Sequence, residues 1–310
     1  MLKMTSENNS KYIEFTMQGI SDLPELQFPL FITFLFIYLT IVISNLTIVA
    51  SIVLYNHLHT PMYIFLSNLS VIDISLTSSI LPKLLDMLFT QCKTISFAGC
   101  FIQMYFFMAF VCSEFLILAV MAYDRYIAIC HPLHYSLLMS SKMCAYLILG
   151  DVIGSLLDPV LHTVLISKLS FCSSHHIDHF FCNIFPLLKL SCNDTSYIEM
   201  WTYIFSVVVG MSLLTLTLAS YFFIISSILN IKSKTGRHKA FSTCASHMTC
   251  IFIFYGTIIC LHMKPRSMYS PGQDKLFSLL YVILIPIINP LIYTLKNKDF
   301  SKVFKQIKHY

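Results

Sequence analysis

Charge is what this 310-residue chain has least of: Asp, Glu, Lys and Arg together make up 11% of it, against about 25% in soluble globular domains. That excludes an ordinary water-soluble fold, because too little polar surface is left to face water. With 56% hydrophobic residues, 26 Phe and a mean hydropathy of +0.74, lipid is the indicated solvent. The chain also lacks an internal repeat, a low-complexity linker and any His-Glu-x-x-His or Gly-x-Ser-x-Gly run. His131, His134 and the cytoplasmic cysteines show no nucleophile-base-orienter arrangement, so no enzyme is expected. Paired Gly/Pro-interrupted segments and half-chain repeats are missing as well, which counts against a transporter. The acids Asp73, Glu114 and Asp151 nevertheless keep an ion path as the rival reading. The first 27 residues are polar, and the apolar run after them is too long for a cleavable signal and has no small-residue cleavage site. Span one is therefore expected to act as an uncleaved signal-anchor.

What is present is a series of seven long apolar runs: Phe28 to Leu54, Met62 to Leu81, Phe97 to Ala122, Cys144 to Leu165, Tyr197 to Leu229, Ala240 to His262 and Leu276 to Leu295. Each is close to the roughly 20 residues that cross a bilayer as a helix. The expected architecture is all-α, a seven-transmembrane helix bundle over 28–295. A 27-residue tail precedes it and a short basic tail, 296–310, follows. An odd number of spans puts the termini on opposite sides, and Lys and Arg then choose the sides. Lys232, Lys234, Arg237 and Lys239 lie between runs five and six, and Lys296, Lys298, Lys302, Lys305 and Lys308 follow run seven against Asp299 alone. The first 27 residues carry Glu7, Glu14, Asp22 and Glu25 against Lys3 and Lys11. The N-terminus is expected outside and the C-terminus in the cytoplasm, in a multi-pass protein of the plasma membrane whose surroundings are lipid and whose partners include no nucleic acid.

Run three carries the most telling charges. From Cys100 to Arg125 a helix rises about 37 Å, enough to cross a hydrocarbon core of about 30 Å. Cys100 is thus expected at one face and Asp124-Arg125 at the other, within Met121-Ala122-Tyr123-Asp124-Arg125-Tyr126-Ile127-Ala128-Ile129-Cys130. Asp73 in run two and Glu114 in run three are expected inside the bundle, since lipid exposure of a carboxylate is costly. Asn45 and Asn289 are their expected polar partners. Asp151 is a third intramembrane acid, at an expected cost of about 2.5 kcal/mol if unaccommodated, and it reads as a structural feature rather than a ligand contact.

Four of the 11 cysteines, Cys100, Cys172, Cys182 and Cys192, fall on the outer side, where disulfides persist. Four cysteines allow three connectivities, and spacing does not choose among them. A metal site using His175, His176 and His179 beside Cys172 and Cys182 is the weaker alternative. Asn8-Asn9-Ser10 is a glycosylation sequon on the exterior tail and Asn193-Asp194-Thr195 another in an exterior loop. Asn8 is the expected acceptor, whereas Asn45-Leu46-Thr47 and Asn68-Leu69-Ser70 lie within spans and should stay bare.

The chain resembles the vertebrate olfactory receptors, a branch of the rhodopsin-like G-protein-coupled receptors, in motifs along its whole length. These are Pro61-Met62-Tyr63-Ile64-Phe65-Leu66-Ser67-Asn68-Leu69-Ser70 opening span two and Met121 to Pro132 closing span three. Lys239-Ala240-Phe241-Ser242-Thr243-Cys244-Ala245-Ser246-His247 opens span six, and Pro286-Ile287-Ile288-Asn289-Pro290-Leu291-Ile292-Tyr293 lies in span seven. The long loop ending Leu190-Ser191-Cys192-Asn193-Asp194-Thr195 is similar too. The chain departs from the family pattern at Ser44, where a Gly is usual, at Lys296, where an Arg is usual, and at Val152, where a Trp is usual.

The resemblance implies a receptor for small, mostly hydrophobic volatile odorants that activates a heterotrimeric G protein of the olfactory stimulatory type. It implies disulfides Cys100-Cys182 and Cys172-Cys192, the first favoured by the Phe180-Phe181-Cys182 context. It makes Asp124, Arg125, Tyr126, Tyr221, Asn289, Pro290 and Tyr293 the switch and coupling residues. Asp73 takes the family's sodium position with Glu114 its partner, so a structural sodium ion or a shared proton is expected there, and no other cofactor. For the ligand pocket, Phe107, Met108, Val111 and Cys112 share one face of span three. In the resembled fold that face meets Phe205, Ser206 and Val209 of span five, Tyr255, Ile258, Ile259 and His262 of span six, and Leu279 and Val282 of span seven. Selectivity is expected to rest most on Val111, Cys112, Tyr255 and Ile259.

Overall fold

The structure, a computed structural model, describes residues 14–21, 23–172, 175–262 and 271–295. Seven long helices match the seven apolar runs: α1 (Pro24–Leu54), α2 (Pro61–Thr90), α3 (Phe97–Cys130), α5 (Ser141–Ser167), α7 (Ser196–Leu229), α8 (Lys234–His262) and α9 (Pro271–Leu295). Two short helices, α4 (Tyr135–Leu138) and α6 (Ile184–Leu188), lie in the connections. Six of the long helices are apolar enough over their described length to cross a membrane. In α8 the apolar stretch is the shorter His247–Ile259, its cytoplasmic half being basic and rich in hydroxyls. Lipid has no partners for backbone N–H and C=O groups, so a spanning segment must satisfy them within itself, which the helix does. Side chains such as Phe36, Leu54 and Phe222 stay exposed on the outside of the bundle, facing where the acyl chains would be.

Several helices overrun the hydropathy boundaries. α2 continues through Pro82 to Thr90 rather than stopping at Leu81, and at about 45 Å it stands above the hydrocarbon layer. Lys83 and Asp86 form an ion pair there at 2.6 Å, partly exposed. Hydropathy reports the lipid boundary, whereas backbone hydrogen bonding sets the helix end. α3 starts where Ser96 accepts a hydrogen bond from the Gly99 N–H at 3.1 Å, which satisfies one of the free donors of the first turn.

Prolines in α9 create a tie between helices. Pro290 has no N–H, so the carbonyl of Pro286 one turn earlier loses its helical donor. Asn45 of α1 supplies it: Nδ2 donates to the Pro286 oxygen at 3.0 Å and to Ile41 O in its own helix at 3.1 Å. This corrects the expectation that Asn45 pairs with an acid. Its amide NH2 is committed to two carbonyls, one of them left open by a proline.

On the outer face a three-stranded sheet in the order β2-β1-β3 caps the bundle. The tail strand β1 (Glu14–Met17) pairs antiparallel with β2 (Thr94–Ser96), matching Phe15 to Ile95, and parallel with β3 (His176–Ile177), matching Met17 to Ile177. Phe15 and Met17 alternate inward and are fully buried, the period-two pattern of a half-buried strand. Cys100 is bonded to Cys182 and Cys172 to Cys192, with Cα separations of 5.4 and 5.7 Å. The Cys182 N–H also donates to Gln103 Oε1 at 3.0 Å, and Lys275 of α9 reaches Asp178 and Gln18, each at 2.5 Å. Tail, loop and helices are thereby joined over the mouth of the bundle. With Cys172 and Cys182 both held in disulfides, the metal reading loses its thiolates, and among the described residues no group of three or more His, Cys, Asp or Glu converges.

Candidate functional site: a cavity, a polar layer and a cytoplasmic switch

Between α3, α5, α7 and α8, flanked by Asn183 and the start of α6, lies a cavity of about 140 Å³. An apolar cavity of about 150 Å³ takes up a molecule the size of benzene, so this space suits a compact ligand. Phe107, Met108, Val111 and Cys112 line it from α3, as the shared face of that helix requires. Phe205, Ser206 and Val209 line it from α7, and Tyr255, Ile258 and Ile259 from α8.

Leu279 and Val282 do not reach the cavity, and this is a correction. The principal neighbours of α9 are α1, α2 and α8. Val282 is accordingly fully buried and Leu279 half-buried in the core on that side. The side chain of His262 lies outside the described residues. Reading the sequence missed the α5 wall, where Asp158 and His162 line the cavity, together with Phe115 of α3, Thr202 of α7 and Asn183 to Phe185 of the loop. The i, i+4 spacing of Asp158 and His162 was the available signal, since it puts both on one helix face.

Below the cavity is the polar layer. Asn289 Nδ2 donates to both Asp73 oxygens, at 3.1 and 3.3 Å. Tyr281 donates its phenolic proton to Glu114 Oε2, a partner that sequence reading missed because Tyr281 is absent from the quoted motifs. Asp73 and Glu114 are both fully buried and close enough to interact. Rings connect this layer to the cavity floor: Phe115 meets Phe254 at 4.7 Å and Tyr255 at 5.4 Å, and Phe254 meets Tyr281 at 6.2 Å.

At the cytoplasmic end, Arg125 donates to Asp124 Oδ2 through Nε at 2.9 Å and through its terminal nitrogen at 2.5 Å. Asp124 is fully buried, and its other oxygen accepts from the Tyr135 hydroxyl of α4 at 2.8 Å. Burial, with the Asp124 carboxylate adding to it, pushes the Tyr135 phenol well above its ordinary range, so Tyr135 stays a donor. Tyr126 bonds His131 Nε2 at 3.1 Å, and Tyr221 of α7 bonds His247 Nδ1 of α8 at 2.5 Å. Pro290 follows Asn289 in α9, the side chain of Tyr293 lies outside the described residues, and so does Asn8.

The olfactory receptor family model matches residues 34–309. The chain is 46% identical over 304 residues to olfactory receptor 5AR1 of Mus musculus, covering 98% of each chain. It is 47% identical over 302 residues to olfactory receptor 5B12 of Homo sapiens, covering 97% of this chain and 96% of the relative. With olfactory receptor 5AP2 of Homo sapiens the identity is 45% over 307 residues, covering 99% and 97%.

Proposed function

The chain belongs to the olfactory receptor family, non-enzymatic multi-pass receptors of the plasma membrane that bind odorants and couple to G proteins, and we propose how it does so. A small, mostly hydrophobic volatile is held in the cavity between α3, α5, α7 and α8, and occupancy activates a heterotrimeric G protein of the olfactory stimulatory type. The observation that carries this reading is the cavity itself: a space of about 140 Å³ with a largely aliphatic and aromatic wall, the general form of a small-molecule site.

Signalling follows from what the cavity floor touches. A ligand against Phe115 and Tyr255 presses on rings that continue to Tyr281 and its bond to Glu114. Packed side chains with two arrangements are a physical carrier of such coupling. The bonds that hold the resting arrangement are Asp124 to Arg125 and to Tyr135, and Tyr221 to His247 across α7 and α8. Separation of α8 from α3 would open a cytoplasmic cleft in which a freed Arg125 meets the G protein, with Tyr126, Asn289, Pro290 and Tyr293 shaping its walls.

Asp73 and Glu114 would hold a sodium ion or share a proton, either of which offsets the repulsion of two carboxylates. The carboxylates suit a hard cation, which prefers oxygen, and Glu114 Oε1 is a buried oxygen without a hydrogen-bond partner among the described residues. A bound cation would neutralise the layer and favour the resting packing.

The test is a screen of volatile alcohols, acids, esters, amines and ketones on cells expressing the chain with a stimulatory G protein. A ligand-dependent rise in cyclic nucleotide is expected. A ligand-dependent current in cells lacking the G protein, with no cyclic-nucleotide response in cells that have it, would overturn the receptor reading in favour of a channel.

A further inference from the structure

The α5 wall of the cavity differs in chemistry from the rest. Asp158 is the one acid among the residues that line the space, and no Lys or Arg lines it. One turn further along, His162 is 4% exposed and lines the same cavity, yet neither ring nitrogen has a hydrogen-bond partner among the described residues. Thr202 of α7, 5% exposed, also lines the cavity with its Oγ1 unpartnered. Buried polar atoms are nearly always satisfied, and leaving several unsatisfied around a carboxylate is costly unless something else completes them. The opposite side of the space, from Val111 to Ile259, is apolar.

Resting on the reading of this cavity as the odorant site, we propose that its ligand class is the small aliphatic amine, bound as the ammonium ion. Its three N–H donors match three acceptors that line the cavity, a carboxylate oxygen of Asp158 and a ring nitrogen of His162 on α5 and Oγ1 of Thr202 on α7. Asp158 supplies the countercharge that makes burial of an ammonium tolerable. The alkyl chain lies along Val111 and Ile259. A carboxylic acid meets the reverse situation: its anion faces Asp158 with no Lys or Arg in the wall, the kind of charge mismatch by which a site rejects a competitor. An alcohol can hydrogen-bond here but leaves the Asp158 charge unmatched.

Pentylamine, pentan-1-ol and butanoic acid each have the six heavy atoms of benzene and so match the space. In cyclic-nucleotide assays at matched surface expression, pentylamine is expected to be the most potent and butanoic acid the least. Asp158→Asn should weaken pentylamine at least about tenfold, as loss of one charge-assisted contact does, while shifting pentan-1-ol much less. Asp158→Glu should keep the amine preference. Thr202→Val, which preserves shape, gives a second reading if Asp158→Asn fails to reach the surface, and it too should weaken pentylamine selectively. Butanoic acid as potent as pentylamine, or equal shifts for amine and alcohol in these variants, overturns the amine assignment alone. Silence of the surface-expressed receptor to every volatile in the broad screen overturns the odorant-site reading and this inference with it.

Discussion

The Ser113 hydroxyl of α3 lies 3.0 Å from each carboxylate oxygen of Asp151 in α5, and Asn68 of α2 donates to the same carboxylate at 3.1 Å. Asp151 is therefore neither a ligand contact nor an unpaired charge: it joins three helices where the usual Trp beside it has become Val152. Val152 itself is exposed on the outside of the bundle. Replacing Asp151 by Ala would strand the Ser113 and Asn68 donors at about 1 to 3 kcal/mol each. Asp151→Ala should lower surface expression strongly, while Asp151→Asn, which still accepts, should largely restore it. Equal surface labelling of wild type and Asp151→Ala by flow cytometry would refute the structural role.

The cytoplasmic lock predicts opposite effects for two neighbours. Arg125→Ala removes the group that would engage the G protein, so agonist-driven cyclic nucleotide should fall to background with surface expression largely intact. Tyr135→Phe removes only the 2.8 Å hydrogen bond to Asp124, loosening the resting pair. Basal signalling should rise by up to about tenfold, in line with loss of a charge-assisted bond of about 1.5 kcal/mol. A full agonist response from well-expressed Arg125→Ala would exclude the switch role.

His179 should make the extracellular cap sensitive to acid. In the loop its ring packs against those of Phe180 and Phe181, which follow it in sequence, with centroids 4.7 and 4.5 Å away, and it is fully buried. Burial, reinforced by Lys275 and partly countered by Asp178, lowers its pKa to about 3. Asp274 Oδ2 stands 3.9 Å from Nε2, too far for a hydrogen bond, and does not reverse the effect of burial. The folded pKa lies below the unfolded one, so the unfolded chain takes up the proton first. The contribution is whole above about pH 6.5 and is lost as pH falls toward about 3. At pH 5 the loss from this one group is about 2 kcal/mol. Thermal unfolding of purified receptor should show a fall in Tm between pH 7.5 and pH 5 that is smaller in His179→Phe. Identical pH dependence in the two proteins would exclude His179 as its source.

Much of this was legible because lipid imposes a simple rule. Seven apolar runs gave seven helices, since a spanning chain has to satisfy its own backbone, and Asp124 beside Arg125 could be read as a pair because the two are adjacent. What sequence reading missed depends on which helices meet. Tyr281 and Glu114 are 167 residues apart, and nothing local pairs them. Asn45 is read from the sequence as the partner of an acid, whereas Pro290 leaves it an open acceptor in the Pro286 carbonyl. β1 was overlooked because Glu14 to Met17 is too short to show its alternation until β2 and β3 flank it. Leu279 and Val282 were placed at the cavity on resemblance alone, but α9 turns that face toward other helices.

Ligand selectivity should rest on Val111 and Ile259, which line the cavity from two helices, α3 and α8. Each truncation to Ala removes side-chain carbons from the wall and enlarges the space. One methylene more or less in such a site is worth about 1 to 3 kcal/mol to a ligand. A wall residue therefore predicts a reordering: Val111→Ala and Ile259→Ala should weaken short-chain agonists and strengthen homologues one or two carbons longer, by roughly tenfold in relative potency. A residue that only packs helices together predicts instead a uniform loss of expression or response across all chain lengths. Dose-response curves for a homologous series, taken at matched surface expression, separate the two outcomes. An unchanged rank order in both variants would move the site away from this wall.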